Sequence, residues 1–322
     1  MADLSIPFAG LTLRNPILSA SGTFGHGLEM QHIVPPESLG GLVSKTVTIA
    51  PRAGNPMPRI AETRAGFLNS IGLENRGLEH YLEQTLPEVA HADTLIVANI
   101  GGHTSEEFAA AAARLDVRDE VDAIEVNLSC PNVDGGKLPY STDPARAEST
   151  IAGVRAVTTK PILAKVSPNV TDIAEIARAC ERGGADGITA INTLLGMGVN
   201  WRTGEPALNT VVGGYSGIAI QPIALRCAFQ CAQAVSIPVF GCGGIASADD
   251  VLAFLAVGCS AVQVGTSSFS DPAMLGRLAA EVEALLDAAG IAAARDVIGS
   301  IRLPRPAAAK AVADPSAAPG GR

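Results

Sequence analysis

Short apolar runs rich in Val, Ile, Leu and Ala recur along the chain, each followed by a turn and then a helical pattern. Eight stand out: "ILSAS" (17–21), "GLVSKT" (41–46), "LIVANI" (95–100), "AIEVNLS" (123–129), "PILAKVS" (161–167), "GITAINT" (187–193), "PVFGCGG" (238–244) and "AVQVGTS" (261–267). Their near-continuous apolar character, rather than strict alternation, predicts parallel strands covered on both faces. Amphipathic stretches lie between them. In "TDIAEIARACERGG" Ile173, Ile176, Ala177 and Cys180 fall on one side at helical spacing, and Gly183 marks a stop. In "SADDVLAFLAVG" Ser247 and Asp250 have the spacing of a capping box. Eight strand–helix alternations predict an α/β fold, a (β/α)8 TIM barrel, with a doubly wound open sheet as the alternative. Three segments exceed simple connections: the Pro- and Gly-rich 47–80, the polar 131–145, and 194–220. They are expected as inserted loops at the carboxyl-end face of the strands, where loops of this length clamp ligands or meet partners. Residues 1–303 read as one barrel domain that begins at its first strand, and the Ala/Pro-rich 304–322 as a disordered tail.

Composition narrows the class. The chain has 322 residues, 47% apolar and 17% charged, enough for one large core. A formal net charge of −9 argues against nucleic acid or an anionic membrane surface as partner. No signal peptide and no apolar run of the ~18 residues that a bilayer span needs are found, so a soluble cytoplasmic protein is expected. The six cysteines, at 130, 180, 227, 231, 242 and 259, form no C-x-x-C. Cys227 and Cys231, four apart in a helical stretch, read as buried small hydrophobes, as does Cys180. The chain is therefore expected to hold no iron–sulfur cluster and no metal. Histidines 26, 32, 80, 91 and 103 fall singly.

The chemistry gathers where a barrel would put it, at the carboxyl ends of the strands. Those ends carry Ser21 and Gly22, Lys45 and Thr46, Asn99, Asn127 with Ser129 and Cys130, Lys165, Asn192 and Thr193, Gly243 and Gly244, and Gly265 and Thr266. Any one of them is ordinary; a ring of amides, hydroxyls and ammonium groups around one mouth is not. "GCGGI" before a capped helix, followed by "VGT", supplies bare backbone N–H groups suited to phosphate. Two tight barrel turns would also explain those glycines. The amides and lysines suit a planar ring rich in oxygen and nitrogen better than a sugar. No acidic pair, HExxH or GxSxG motif supports a glycosidase, zinc protease or serine hydrolase.

The stretches "NPILSASGTFG", "SKTVT", "FLNSIGLEN", "VNLSCPNV", "AKVSPN", "INTLLGM" and "FGCGGI" resemble the dihydroorotate dehydrogenases, FMN enzymes of pyrimidine synthesis, from about Leu4 to Arg302. "NLSCPN" and "LNSIGL" are the specific ones; "GGI" and "GT" occur in many phosphate-binding barrels. "INTLLGM" and "GGYSGIAIQPIALR" look closer to the NAD-linked class 1B than to the fumarate-linked class 1A. Ile218 stands where family patterns usually show Pro. The resemblance implies Cys130 as catalytic base, with Lys45 and Ser129 assisting. It implies an FMN site of Ser21, Gly22, Lys45, Thr46, Asn99, Asn127, Lys165, Ile191, Gly217, Gly243, Gly244, Gly265 and Thr266. Dihydroorotate would be held by Lys45, Asn69, Ser70, Ile71, Gly72, Leu73, Asn127, Asn132, Asn192 and Thr193.

The reaction so implied removes a proton from C5 of dihydroorotate and a hydride from C6, giving orotate. A thiol of pKa near 8.5 leaves a few per cent thiolate at neutral pH, enough for a base held in reach. The resemblance also implies a homodimer, joined into a heterotetramer by a partner subunit that carries FAD and a 2Fe–2S cluster and passes electrons to NAD. Class 1A, another FMN-dependent pyrimidine oxidoreductase, and a non-catalytic flavin-binding protein are the alternatives at this stage.

Overall fold

The computed structural model describes residues 1–129 and 142–304. A hairpin of β1 (Ile6–Phe8) and β2 (Leu11–Leu13) precedes β3 (Ile17–Ser19) and β4 (Gly41–Val43). A second hairpin, β5 (Ile60–Thr63) and β6 (Gly66–Asn69), occupies the first long segment. Then come β7 (Leu95–Ile100), β8 (Ala123–Asn127), β9 (Ile162–Val166) and β10 (Gly187–Ala190). The third long segment holds β11 (Leu194–Met197), β12 (Val199–Asn200), β13 (Glu205–Pro206) and β14 (Val212–Ser216). β15 (Val239–Cys242) and β16 (Ala261–Val264) complete the set.

Eight of these strands, β3, β4, β7, β8, β9, β10, β15 and β16, close into a parallel barrel in that cyclic order. Each begins within two residues of an apolar run read from the sequence, and the open doubly wound sheet is excluded by closure. The β3–β4 seam has a single register pair, Leu18 with Gly41. A serine hydroxyl completes it: the Val43 N–H donates to Ser19 Oγ at 3.0 Å. At the neighbouring seam the Asn99 N–H donates to Ser44 Oγ at 3.0 Å, so buried backbone donors are satisfied where the ladder is short.

The helices form for the reasons their sequences offer. In Ile173–Arg182 the Asp172 carboxylate accepts from the Ala174 and Glu175 N–H groups, and Ile173, Ile176, Ala177 and Cys180 are buried, with Gly183 at the C-cap. Ser247 caps Ala248–Ala256 by accepting from the Asp250 N–H. The reciprocal half of the capping box is absent, because the Asp250 carboxylate accepts instead from the Ala246 N–H and from Gln221. Among the described residues no helix is long and apolar enough to cross a membrane.

Three expectations need correction. The barrel does not start the chain: the β1–β2 hairpin comes first and plugs the amino-terminal end of the barrel. Phe8 meets Phe240 edge-on at 5.0 Å between ring centroids, an aromatic seal on the barrel floor. The segments 47–80 and 194–220 are not simple loops, since β5, β6, β11 and β14 join into a four-stranded antiparallel sheet in the order β11-β14-β6-β5. The segment 131–145 ends earlier than expected, because Asp143 already caps the helix Pro144–Arg155. Cys130, Asn132 and the tail beyond 304 lie outside the described residues.

Candidate active site

Because side chains alternate along a strand, Glu125 and Asn127 of β8 point into the barrel while Ile124 and Val126 face the helices. The same alternation turns Lys165 of β9 and Gln263 of β16 inward. The register sets Asn127 beside Lys165, Lys165 beside Thr189, and Asn99 beside Glu125. Polar side chains thus occupy the upper half of the interior, above the apolar floor.

At the rim a continuous hydrogen-bonded arc crosses the mouth. Ser21 Oγ lies 3.3 Å from Thr46 Oγ1, which accepts from Asn127 Nδ2 at 3.5 Å. Asn127 Oδ1 accepts from Asn192 Nδ2 at 3.2 Å, and Asn192 Oδ1 accepts from the Thr193 N–H at 2.7 Å. The Thr193 side chain abuts Gly214 of β14, whose carbonyl accepts from Asn69 Nδ2 at 3.3 Å. The arc runs from the first barrel strand to the added sheet, and that sheet is what carries Asn69 to the mouth. At the far side Thr266 Oγ1 donates to Ser216 Oγ at 2.8 Å, tying the last barrel strand to the residue before Gly217.

Asn69–Leu73 is held by neighbours that the sequence reading did not single out. Asn55 donates to the Ser70 carbonyl at 2.9 Å and to its hydroxyl at 3.0 Å. The Asn55 N–H bonds the Ile71 carbonyl at 2.9 Å, and Arg52 Nε donates to the Gly72 carbonyl at 3.3 Å. Asn75 uses its whole amide: it accepts from the Thr48 and Gly77 N–H groups and donates to Thr48 Oγ1 and the Leu73 carbonyl. The segment needs these ties because Gly72 and Leu73 both have left-handed backbone, at φ 75° and 57°.

Most of the glycine stations are tight turns where a side chain would collide with a neighbour. Gly243 and Gly244 have φ of 129° and 76°, and a Cβ on Gly244 would stand 2.6 Å from that of Gln221, so no larger residue fits the turn. The short helix Ser267–Ser270 starts directly after Gly265 and Thr266. Ile191 is buried, with its N–H on the Cys242 carbonyl at 2.9 Å. Gly22 is left-handed at φ 93° with nothing within 4 Å of a Cβ. Gly217 abuts Gly66, and Ile218 after it opens a 3-10 turn, Ile218–Ile220.

The two lysines differ. Lys45 lines a cleft of about 720 Å³ together with His26, Arg52, Glu74 and Tyr81. Burial pushes its pKa below the usual 10.5; Glu74 opposes this and Arg59 adds to it. Lys165 is almost wholly enclosed, and burial alone would lower its pKa too. The Glu125 carboxylate, 3.6 Å away, and to a smaller extent Cys242 more than offset that burial and hold Lys165 above the usual range. Ser129 donates its N–H to Asn127 Oδ1 at 3.3 Å, and its Oγ is buried with no partner among the described residues. Asn99 Oδ1 is orphaned in the same way.

A closed parallel barrel with its polar residues at the strand ends, glycine turns after the last two strands and an extra sheet roofing one side defines a (β/α)8 barrel enzyme with its chemistry at the carboxyl-end mouth. The chain belongs to the dihydroorotate dehydrogenase family, whose pattern matches residues 3–286. It is 48% identical over 301 residues to the dihydroorotate dehydrogenase B (NAD(+)) catalytic subunit of Geobacter sulfurreducens, covering 94% of this chain and 99% of that protein. The protein of the same description from Trichlorobacter lovleyi is 47% identical over 298 residues, covering 92% and 98%. Among solved structures, the dihydroorotate dehydrogenase of Eimeria tenella in complex with ferulenol superposes with a TM-score of 0.78 at 23% identity. That match covers 92% of this chain and 88% of the other, and it supports the fold.

Proposed function

We propose that this chain is the catalytic subunit of an NAD-linked dihydroorotate dehydrogenase, oxidising dihydroorotate to orotate in pyrimidine synthesis with FMN as its resident cofactor. The observation that carries this reading is the arc of hydrogen bonds from Ser21 to Thr193, with Asn69 brought against its end by the packing of Gly214 on Thr193, set over the buried Lys165 in a chain of this family.

The residues present fit FMN. Asn99 offers a buried acceptor that nothing else among the described residues uses, and the left-handed Gly243–Gly244 turn has no side chain to keep a phosphate from its backbone. Gly243, Gly244, Gly265 and Thr266 would hold the phosphate. Ser21, Gly22, Thr46, Asn99, Asn127, Lys165, Ile191 and Gly217 would surround the remainder, with Lys45 between cofactor and substrate. When bound, FMN supplies the acceptor for the hydride.

The chain's own residues bind, orient and deprotonate. Asn69, Asn127 and Asn192 each present a donor and an acceptor, matching the alternating C=O and N–H edge of a dihydropyrimidine. Thr193 and the segment Ser70–Leu73 complete the wall, and Lys45 supplies a cation for the substrate carboxylate. The Lys165 ammonium stabilises negative charge that develops beside it. Cys130 acts as the base at C5, with Ser129 before it and Asn132 after it. A partner subunit bearing FAD and a 2Fe–2S cluster, bound to a catalytic homodimer, would carry the electrons on to NAD.

Anaerobic addition of dihydroorotate to the purified yellow protein should bleach the flavin absorbance in one two-electron step. NAD or fumarate added to the isolated chain should restore the colour only slowly. Absence of bleaching removes the proposed activity, and rapid recovery with NAD alone removes the partner.

A further inference from the structure

The interior of an α/β barrel is ordinarily filled with branched apolar side chains. Here a carboxylate is sealed into it. Glu125 has no exposed surface, and donors surround it: Asn99 Nδ2 at 2.6 Å, Thr189 Oγ1 at 2.8 Å, Gln263 Nε2, and the Lys165 ammonium at 3.6 Å. Lys165 also donates to Gln263 Oε1 at 3.0 Å, which leaves Gln263 Nε2 facing the acid. Asn99, Thr189 and Gln263 each direct a hydrogen at this carboxylate, and the Lys165 ammonium lies against it.

The consequence reaches the mouth through two side chains. Asn99 spends its NH2 on Glu125, so its Oδ1 is turned away and left buried without a partner among the described residues. A buried acceptor with nothing to accept marks a place where a donor belongs. Lys165 has three donors, and Gln263 and Glu125 do not use all of them.

We infer that Glu125 is the positioning residue of the cofactor site: one carboxylate turns Asn99 so that it offers a carbonyl, and keeps Lys165 charged and aimed beside it. The inference rests on the FMN reading above. The pyrimidine edge of a flavin carries one N–H between two carbonyls, so it asks for one acceptor flanked by donors. Asn99 Oδ1 and the Lys165 ammonium are that complement, and both orientations are fixed from below by the same acid. Glu125 itself touches neither cofactor nor substrate.

The titratable groups that face Lys165 are Glu125 from β8 and the Cys242 thiol from β15; Asn99, Thr189 and Gln263 carry no charge. Burial raises the Cys242 thiol's pKa although Lys165 opposes this, so the thiol is a weaker counter-charge than the acid. Glu125→Gln therefore leaves the enclosed lysine without its main counter-charge, the situation in which burial lowers a lysine's pKa.

The experiment titrates the apoprotein with FMN, followed by flavin fluorescence, from about pH 7, above the second phosphate ionisation, to about pH 9. The wild type should bind with a level profile. Glu125→Gln should lose about tenfold or more in affinity across that range, since one unit of displaced ionisation is a factor of ten. A level profile in that variant, whether at wild-type affinity or uniformly weaker, overturns the inference, because a packing role alone would not slope with pH. The double variant Asn99→Asp/Glu125→Gln returns a carboxylate to the network with the hydrogen bond reversed. It should recover the level profile, and it answers the same question if the single variant does not fold. A sloping profile in the double variant also overturns the inference. A wild-type chain that takes up no FMN removes the function proposed above and this inference with it, whereas an FMN-binding chain indifferent to Glu125 removes only the inference.

Discussion

Lys45 and Lys165 sit on the same barrel and burial lowers both, yet Lys45 ends below its usual value and Lys165 above, because Glu125 outweighs burial at Lys165 with help from Cys242, while Glu74 does not outweigh it at Lys45. The difference has a testable sign. Orotate is an anion, so its affinity should fall as Lys45 loses its proton, and that loss begins below the usual 10.5 because the folded pKa is lowered. Lys165, held above 10.5, adds nothing to this limb. Calorimetric titration of orotate across pH should show weakening on the alkaline side, and Lys45→Met should abolish the slope. The same variant should cost about 10- to 100-fold in affinity at neutral pH, as a hydrogen bond to a charged group is worth about 1.5–3 kcal/mol. An unchanged slope in that variant would reassign the titration. Cys130→Ser tests the base itself: FMN should be retained while neutral-pH turnover drops by about 100-fold or more, since a hydroxyl ionises far less readily than a thiol. Near-normal turnover would remove the thiol from the mechanism. Lys45, Asn127, Lys165 and Asn192 were legible because each ends an apolar run. Glu125, Thr189 and Gln263 were not, because inside "AIEVN", "GITA" and "AVQV" the apolar residues around them mark only a strand. A charge in mid-strand, unexplained by an exposed face, was the available signal. Asn75, which closes "FLNSIGLEN", could have been suspected from the turn it ends, but two of its four hydrogen bonds reach Thr48, 27 residues away.

Among the elements, the barrel strands were readable because burial on both faces leaves an uninterrupted apolar run, and parallel order leaves a helix between each pair. The roofing sheet lacks both signatures. β6 is "GFLN" and β14 is "VGGYS", and their pairing brings together residues 145 apart in the chain, which no local pattern announces. Its glycines have a purpose. A Cβ on Gly214 would strike the Thr193 side chain, so the sheet reaches the barrel mouth only because that side chain is missing. Gly214→Val should therefore push β14 off Thr193 and displace Asn69, whose amide bonds the Gly214 carbonyl. Overpacking of this kind costs about 1–3 kcal/mol, so KM for dihydroorotate should rise by roughly tenfold or more. FMN content should fall less than substrate affinity, because the glycine turns at 243–244 and 265 belong to other strands and β14 reaches the cofactor site only through Gly217 and the Ser216–Thr266 bond. Equal loss of FMN and of substrate affinity would show that the sheet supports the whole barrel rather than the substrate wall.

At the scale of the molecule, the same sheet leaves apolar surface uncovered. Leu195, Met197, Val199, Trp201, Val211 and Val212 are all exposed, on β11, β14, the β12–β13 hairpin and the turns joining them, and Trp201 keeps 76% of its surface in solvent. Single exposed apolar side chains are ordinary on a protein surface; a run of six within eighteen positions of the chain is not. A specific interface needs about 800 Å² from each partner with aromatic anchors at its centre, and Trp201, stacked under Arg202 at 4.5 Å, has that character. Val199 and Trp201 lie on the outer hairpin, apart from the residues of the mouth, so charge can be introduced there without touching the site. The paired change Val199→Glu and Trp201→Glu should shift the chain toward monomer in sedimentation, or release the partner subunit, by burying two carboxylates where none can be hydrated. Dihydroorotate should still bleach the flavin of the altered chain at close to the wild-type rate. Electron delivery to NAD in the reconstituted complex should fall in step with any release of the partner, whereas loss of the dimer alone should leave it unchanged. An altered chain that still sediments and reconstitutes as the wild type does would mean that the exposed strip is not an interface, and that assembly uses another face of the barrel.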